Sequence, residues 1–114
     1  MENTKRIETY EEFWDYYILE HRQPMTRYFH FVGTLLGIVM LVWFLQGGLF
    51  FYIPLCLVVG YGFAWFSHFF IEKNKPATFQ YPIWSFISDY KMMFYMLIGK
   101  MNAEVDRVES QEAS

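Results

Sequence analysis

Residues 28–71 form one long run without a single Asp, Glu, Lys or Arg. The run is about twice as long as the ~20 residues that one membrane-spanning helix needs. The tripeptide Gln-Gly-Gly lies near its middle, at residues 46–48, and paired glycines are typical of a break between helices. We therefore predict a hairpin of two transmembrane helices, over residues 28–46 and 52–71. The alternative is an unusually large apolar core in a soluble protein.

The segments on both sides of this hairpin predict amphipathic helices that lie in the membrane interface. The sequence TYEE fits a capping box in which Thr9 is the N-cap and Glu12 reaches back to it, and an apolar stripe follows at helical spacing. The predicted fold is a single all-α membrane domain over residues 1–114. Its segments are an amphipathic helix at 9–22, transmembrane helices at 28–46 and 52–71, a second amphipathic helix at 82–101 and a disordered polar tail at 104–114.

The distribution of charge predicts how the chain sits in the membrane. The net charge is −3 with no basic cluster, which argues against a nucleic-acid partner, and the single cysteine, Cys56, excludes a disulfide framework. The basic residues that flank the hairpin all lie on the side of the termini, whereas the Gln-Gly-Gly turn is uncharged. This asymmetry predicts an integral membrane protein with both termini in the cytoplasm. The flanking residues are Arg22, Arg27, Lys73, Lys75, Lys91 and Lys100.

Two of the three histidines lie at matching depths in the predicted hairpin. His30 and His68 are equally far along the chain from the turn, about 24 Å at the helical rise. His30 shares a helix face with the glycines of GTLLG, and His68 shares one with Gly60 and Ala64. Small residues let membrane helices approach closely. Packing of these two faces would therefore bring His30 and His68 together.

His21 and Glu72 can reach the same place. His21 continues the apolar stripe of the first amphipathic helix, and Glu72 follows His68 by one helical turn. Imidazoles with a carboxylate suit iron, zinc or copper, and open coordination positions favour non-haem ferrous iron. Two alternatives remain. The histidines would only anchor the helices in a non-catalytic membrane scaffold or lipid-binding protein, or haem would lie between His30 and His68.

Two stretches carry a family resemblance: YYILEHRQPMTRYFHFVGTLLG at residues 16–37 and SHFFIEKNKPATFQYP at residues 67–82. With the paired motifs H-x8-H-x2-G and H-x3-E-K-x-x-P-A, the chain resembles small membrane proteins once classed only as a domain of unknown function. Their eukaryotic members are endoplasmic-reticulum 2-hydroxy fatty acid dioxygenases of phytosphingosine breakdown. The resemblance implies an iron(II)-dependent α-oxidation that uses dioxygen and shortens a 2-hydroxy acyl chain by one carbon. It also implies that His21, His30 and His68 are metal ligands.

The resemblance and the residues together predict a wider site. The longer family members have asparagine in the motif H-x4-N-x3-H, where this chain has Thr26, whose hydroxyl can still form a hydrogen bond behind the ligands. Glu72 is expected either to bind the metal or, as we favour, to orient His68. The residues that could attract the substrate carboxylate are Arg22, Arg27, Lys73 and Lys75.

The resemblance further implies the partners and the location of the protein. The partners are a 2-hydroxy fatty acid, dioxygen and the lipid bilayer, and a homo-oligomer is left open. The short form implies a bacterial inner membrane, or the endoplasmic reticulum if the chain is eukaryotic. Departures after the P-A pair leave open whether this short form has another substrate or lacks oxygenase activity.

Overall fold

The computed structural model describes residues 6–113, and every regular element in that range is helical. The α-helices are α1 (Tyr10–Leu19), α2 (Pro24–Gln46), α3 (Pro54–Ser67), α4 (Pro82–Leu97) and α5 (Met101–Ala113). The shorter elements are 3-10 turns at Phe50–Tyr52 and Ala77–Phe79 and a π-helical turn at His68–Glu72 that continues α3. We call α2 and α3 the helical pair, and α1, α4 and α5 the helical layer.

The helical pair is antiparallel, and its helices meet through small residues. A Cβ atom added to Gly33 would lie 2.7 Å from the Cβ of Phe63, and one added to Gly37 would lie 3.1 Å from the carbonyl oxygen of Cys56. A side chain at either glycine would therefore push α2 and α3 apart. The prediction that the two small-residue faces pack against each other is confirmed.

Both arms of the pair are long and apolar enough to cross a membrane. These arms, Pro24–Gln46 and Phe50–Glu72, begin slightly earlier than predicted from the sequence. Proline stands at the start of α2 and of α3, where its missing N–H costs little. Only 11% and 17% of the most apolar stretch of each arm is buried inside the protein. The core helix of a soluble protein would be largely buried, so the alternative of a large soluble core is disfavoured.

The helical layer has a core of its own. Helix α1 begins as predicted, with the hydroxyl of Thr9 accepting a hydrogen bond from the backbone N–H of Glu12 at 3.2 Å. Its apolar face, with Phe13, Tyr17 and Ile18 fully buried, packs against α4 and α5. The sequence predicts an amphipathic helix that lies in the membrane interface. In the structure its apolar face is covered by protein, because α4 and α5 supply matching apolar surfaces.

The prediction of a disordered tail at residues 104–114 is wrong for residues 104–113, which belong to α5. Met101, Val105 and Val108 recur at helical spacing on α5 and are buried. The indole N–H of Trp14 donates to the carboxylate of Glu104 at 2.9 Å and joins α5 to α1. Packing against α1 therefore orders a segment whose polar composition alone predicts disorder. Residue 114 lies outside the described residues.

Two helix ends also differ from the predicted boundaries. The helix predicted for residues 9–22 ends at Leu19, and residues 20–23 turn the chain into α2. The helix predicted for residues 82–101 ends at Leu97. Gly99 follows with a φ of +76°, a left-handed conformation that glycine adopts without strain and that separates α4 from α5.

Candidate metal centre

Three histidines from distant parts of the chain meet between the helical pair and the helical layer. His21 follows α1, His30 lies on α2 and His68 opens the π-helical turn after α3. Their ring centroids are 4.3 Å (His21–His30), 4.6 Å (His21–His68) and 5.0 Å (His30–His68) apart, and the rings are nearly perpendicular. All three side chains are buried. One nitrogen from each ring lies within 4.8 Å of the other two, so the three rings can share one metal ion.

The Nδ1 atom of each ring faces an oxygen that can only accept a hydrogen bond. For His21 and His30 this oxygen is the backbone carbonyl one turn earlier, of Tyr17 at 2.6 Å and of Thr26 at 3.1 Å. For His68 it is the side-chain oxygen of Asn74, at 2.7 Å. A neutral imidazole that donates from Nδ1 has its lone pair on Nε2. All three rings are thus held in the tautomer that leaves Nε2 free to bind a metal.

Asn74 is a site residue that the sequence analysis missed. Its amide nitrogen donates to the carbonyl of Glu20 at 3.2 Å, which fixes the amide oxygen toward His68. The π-helical turn and the left-handed backbone of Lys73 (φ 63°, ψ 47°) fold the chain back here, and the Asn74 N–H donates to the His68 carbonyl at 2.9 Å. The only sequence feature that could have indicated this contact is an asparagine six residues after the candidate ligand His68.

The shortest approach in the cluster indicates a cation. The Nε2 atoms of His21 and His30 lie 3.0 Å apart. If both rings keep their Nδ1 hydrogen bonds, two lone pairs point at each other, and a proton or a metal ion between them would relieve this repulsion. Burial, followed by the charges of His30 and His68, lowers the pKa of His21 well below its usual value, which opposes protonation. The donor set therefore fits a bound metal ion.

Glu72 lies near the cluster but makes different contacts from those predicted. Its carboxylate accepts hydrogen bonds from the backbone N–H of Gln23 at 2.6 Å and from the hydroxyl of Thr26 at 2.9 Å. These donors belong to the start of α2, where a negative charge is stabilised by the helix dipole. Asn74, not Glu72, contacts Nδ1 of His68. Thr26 meanwhile joins Glu72 to the cluster, because its carbonyl holds His30.

The four cations proposed for the substrate carboxylate are engaged elsewhere or exposed. Arg22 pairs with Glu112 at 2.7 Å on the surface. Arg27 is buried and donates from one nitrogen to the carbonyls of His21 and Arg22, both at 2.7 Å, which closes the turn after α1. Lys73 and Lys75 are exposed. None of the hydrogen bonds or ion pairs described for these four residues reaches an imidazole ring.

A second polar group reaches the cluster from α4. The ring of Tyr17 stacks on His21 with centroids 4.0 Å apart, and the Tyr17 hydroxyl donates to the carboxylate of Asp89. Burial raises the pKa of Asp89 to about 7, partly offset by this hydrogen bond. In the sequence, Tyr17 is only one apolar position of the first amphipathic helix, and no motif places Asp89 near the histidines.

The haem alternative does not fit this arrangement. The rings of His30 and His68 are in edge-to-face contact, with centroids 5.0 Å apart, and His21 packs against both. This contact leaves no room for a macrocycle between the two rings.

Comparison with known proteins identifies one family. The family described as 2-hydroxy-palmitic acid dioxygenase Mpo1-like matches residues 7–101. The matched range contains the three histidines, Asn74 and Asp89. No curated protein and no solved structure matches the chain.

Proposed function

The chain belongs to the Mpo1-like family, and on that premise we propose that it is a membrane-embedded, iron(II)-dependent dioxygenase that removes one carbon from 2-hydroxy fatty acids by α-oxidation. The observation that carries the proposal is the set of three buried imidazoles, each held through Nδ1 so that Nε2 is left to bind a metal, with one nitrogen of each ring within 4.8 Å of the others. Ferrous iron bound by His21, His30 and His68 would supply dioxygen activation. Three protein ligands leave coordination positions free, as a catalytic metal site requires and a closed structural site does not.

The surrounding residues have defined tasks in this proposal. The carbonyls of Tyr17 and Thr26 and the amide of Asn74 fix the ring orientation, and such partners usually set both metal affinity and ligand basicity. Glu72 carries its charge at the start of α2 and steadies Thr26. The fully buried Tyr17 excludes water from one side of the cluster, and its hydroxyl holds Asp89 in place.

The membrane location is part of the same proposal. The outer faces of the helical pair expose many large apolar side chains, among them Val39, Trp43 and Phe70. We place both arms across the bilayer as a hairpin and the helical layer with both termini on the cytoplasmic side, where the flanking basic residues lie. The histidines then lie near one membrane surface. A fatty acid dissolved in the bilayer can reach a site at this depth.

Metal analysis of histidine variants tests the proposal. The wild type, three variants (His21→Ala, His30→Ala and His68→Ala) and Phe70→Ala would be purified without oxygen, and their iron and zinc measured. Phe70 is exposed and lies beside the site in the chain, so its variant is the matched control. We expect stoichiometric iron in the wild type and the control, and a large loss in each histidine variant.

The same samples are then given 2-hydroxypalmitate and dioxygen, and the shortened acid is measured by mass spectrometry. We expect product from the wild type and the Phe70→Ala control, and none from the histidine variants. Full iron occupancy in all three histidine variants would refute the metal centre. Zinc in place of iron, with no product, would refute the dioxygenase.

A further inference from the structure

A cleft between α2, α3 and α4 leads away from the histidine cluster. Its interior volume is about 40 Å³, and one side is open. His30 and Asp89 mark one end, and Gly37, Cys56 and Leu57 mark the other, about 10 Å away along α2 at the helical rise. The cleft therefore joins a candidate ligand of the metal to the apolar interior of the helical pair.

Gly60 keeps the middle of this cleft open. An added Cβ at Gly60 would meet only the carbonyl oxygen of Gly33, at 3.6 Å, which is ordinary van der Waals contact. The glycines of α2 differ, because an added Cβ at Gly33 or Gly37 would press into α3. The missing side chain at Gly60 thus leaves free space rather than a packed contact. Because Gly60 lines the cleft, we expect a large side chain there to narrow it.

The lining of the cleft indicates the class of molecule that fits it. The end near the cluster is polar, with the half-buried Asp89 accepting a hydrogen bond from the Tyr17 hydroxyl. The far end is apolar, and the open side is bordered by exposed apolar side chains such as Leu57 and Phe86. A molecule with a polar head and an apolar tail matches this order. The interior volume of the cleft is about 40 Å³, and about 10–15 Å³ measured in this way holds one water molecule. The interior therefore has room for a few methylene groups.

We propose that this cleft binds the first methylene groups of the substrate's acyl chain, with the rest of the chain leaving through the open side into lipid, and that Gly60 is the residue that admits it. The identity of the substrate head rests on the proposed function. The presence of an acyl chain in the cleft does not require turnover, so it can be tested without dioxygen.

Photolabelling tests the proposal directly. A 2-hydroxy fatty acid with a diazirine on an early carbon of its chain is bound without oxygen to the iron-loaded protein in lipid nanodiscs. After irradiation, the labelled residues are mapped by mass spectrometry. We expect labels on cleft residues such as Thr34, Leu57 and Tyr90, and competition by unlabelled 2-hydroxypalmitate.

Two glycines of α3 provide a matched pair of variants. Gly60→Leu should fill the cleft, whereas Gly62→Leu should not, because Gly62 is exposed and an added Cβ there meets nothing within 4 Å. Since each methylene excluded from an apolar site costs a factor of about four in binding, labelling should fall by about tenfold or more in Gly60→Leu only. Helicity and iron content are measured on both variants.

The outcomes separate the two proposals. Undiminished cleft labelling in a folded Gly60→Leu variant, or wild-type labels spread over outward residues such as Val39 and Val58, would overturn the acyl cleft. If Gly60→Leu does not fold, the wild-type label map and its competition decide alone. The wild type could be labelled in the cleft and yet give no product under dioxygen. That result would support the acyl cleft and contradict the proposed oxidation.

Discussion

The helical layer and the helical pair bury their apolar side chains in opposite ways. In the layer, Phe13, Tyr17 and Ile18 have no exposed surface. In the pair, side chains of similar character point outward, with Val39 53% and Trp43 66% exposed. The layer is therefore held by its own core, as a water-soluble protein is, whereas the pair is held by a narrow seam and leaves a large apolar surface uncovered, as the proposed membrane hairpin would require. The histidines lie where the two kinds of packing meet.

Truncation of the layer core should have the largest effect. Phe13→Ala removes a fully buried ring and should lower the free energy of unfolding by about 3–5 kcal/mol. Val39→Ala on the outer face of the pair should change it by less than about 0.5 kcal/mol. Denaturant unfolding in mild detergent, followed by circular dichroism, measures both. Equal losses in the two variants would show that the layer and the pair do not differ as described.

At the boundary, removal of the Asn74 amide should weaken metal binding without unfolding either region. Asn74→Ala leaves Nδ1 of His68 without its acceptor, and loss of such a partner typically costs about 10–100-fold in metal affinity. Competition with a chelator measures that affinity. Asn102→Ala, at an exposed asparagine of α5, is the control. Unchanged affinity in Asn74→Ala would mean that Asn74 does not position His68.

The layer should also carry a pH dependence through Asp89. Its pKa in the folded protein, about 7, lies above the ordinary value of 3.8, so the folded state binds the proton more tightly than the unfolded state. This contribution to stability is complete below about pH 4 and is lost as the pH rises through 7. Each unit of pKa shift is worth about 1.4 kcal/mol.

Asp89→Asn removes this titration. Between pH 5 and pH 8 the wild type loses the contribution of Asp89 and the variant does not. The free energy of unfolding of the variant, relative to that of the wild type, should therefore rise by about 1 kcal/mol or more from pH 5 to pH 8. Asp106→Asn, at an exposed position of α5, should follow the wild type at both values. A constant difference between Asp89→Asn and the wild type across this range would contradict the raised pKa.

The smallest effect is expected at the surface of the layer. Arg107 joins Asp15 of α1 at 2.9 Å and Glu104 of α5 at 3.0 Å. These groups are partly exposed, so Arg107→Gln should cost no more than about 1 kcal/mol, and the cost should shrink at high salt. Unfolding at low and high salt measures it. A larger, salt-independent loss would mean that α5 is held by this network rather than by its apolar stripe.

The fold of the pair and the meeting of the histidines could be predicted because both depend on regular geometry. Helical spacing places His30 with Gly33 and Gly37, and His68 with Gly60, and the glycines set how closely the helices approach. These features are local and can be read from single segments. The resulting contact of His30 with His68 follows from the depth of each along its own helix.

The parts of the fold and of the candidate site that could not be predicted depend on tertiary contacts that no single segment encodes. Asn74 reaches His68 through the left-handed backbone of Lys73, a conformation that a lysine does not signal. α5 is ordered by α1, although its apolar positions at Met101, Val105 and Val108 were a usable signal. Glu72 was assigned to His68 on spacing alone, and the π-helical turn changed that spacing.

The attachment of α1 to α5 has a consequence for how the protein matures during synthesis. His30 and His68 emerge from the ribosome before α5 does, because α5 follows both in the chain. His21, however, is held through α1, whose Trp14 and Asp15 are bound by α5 residues. Contacts with α2 and α4 also hold His21, so we expect α5 to complete the positioning of the third nitrogen donor rather than to start it. If the cluster binds a metal as proposed, the tightest binding would then come late, after the last helix has packed.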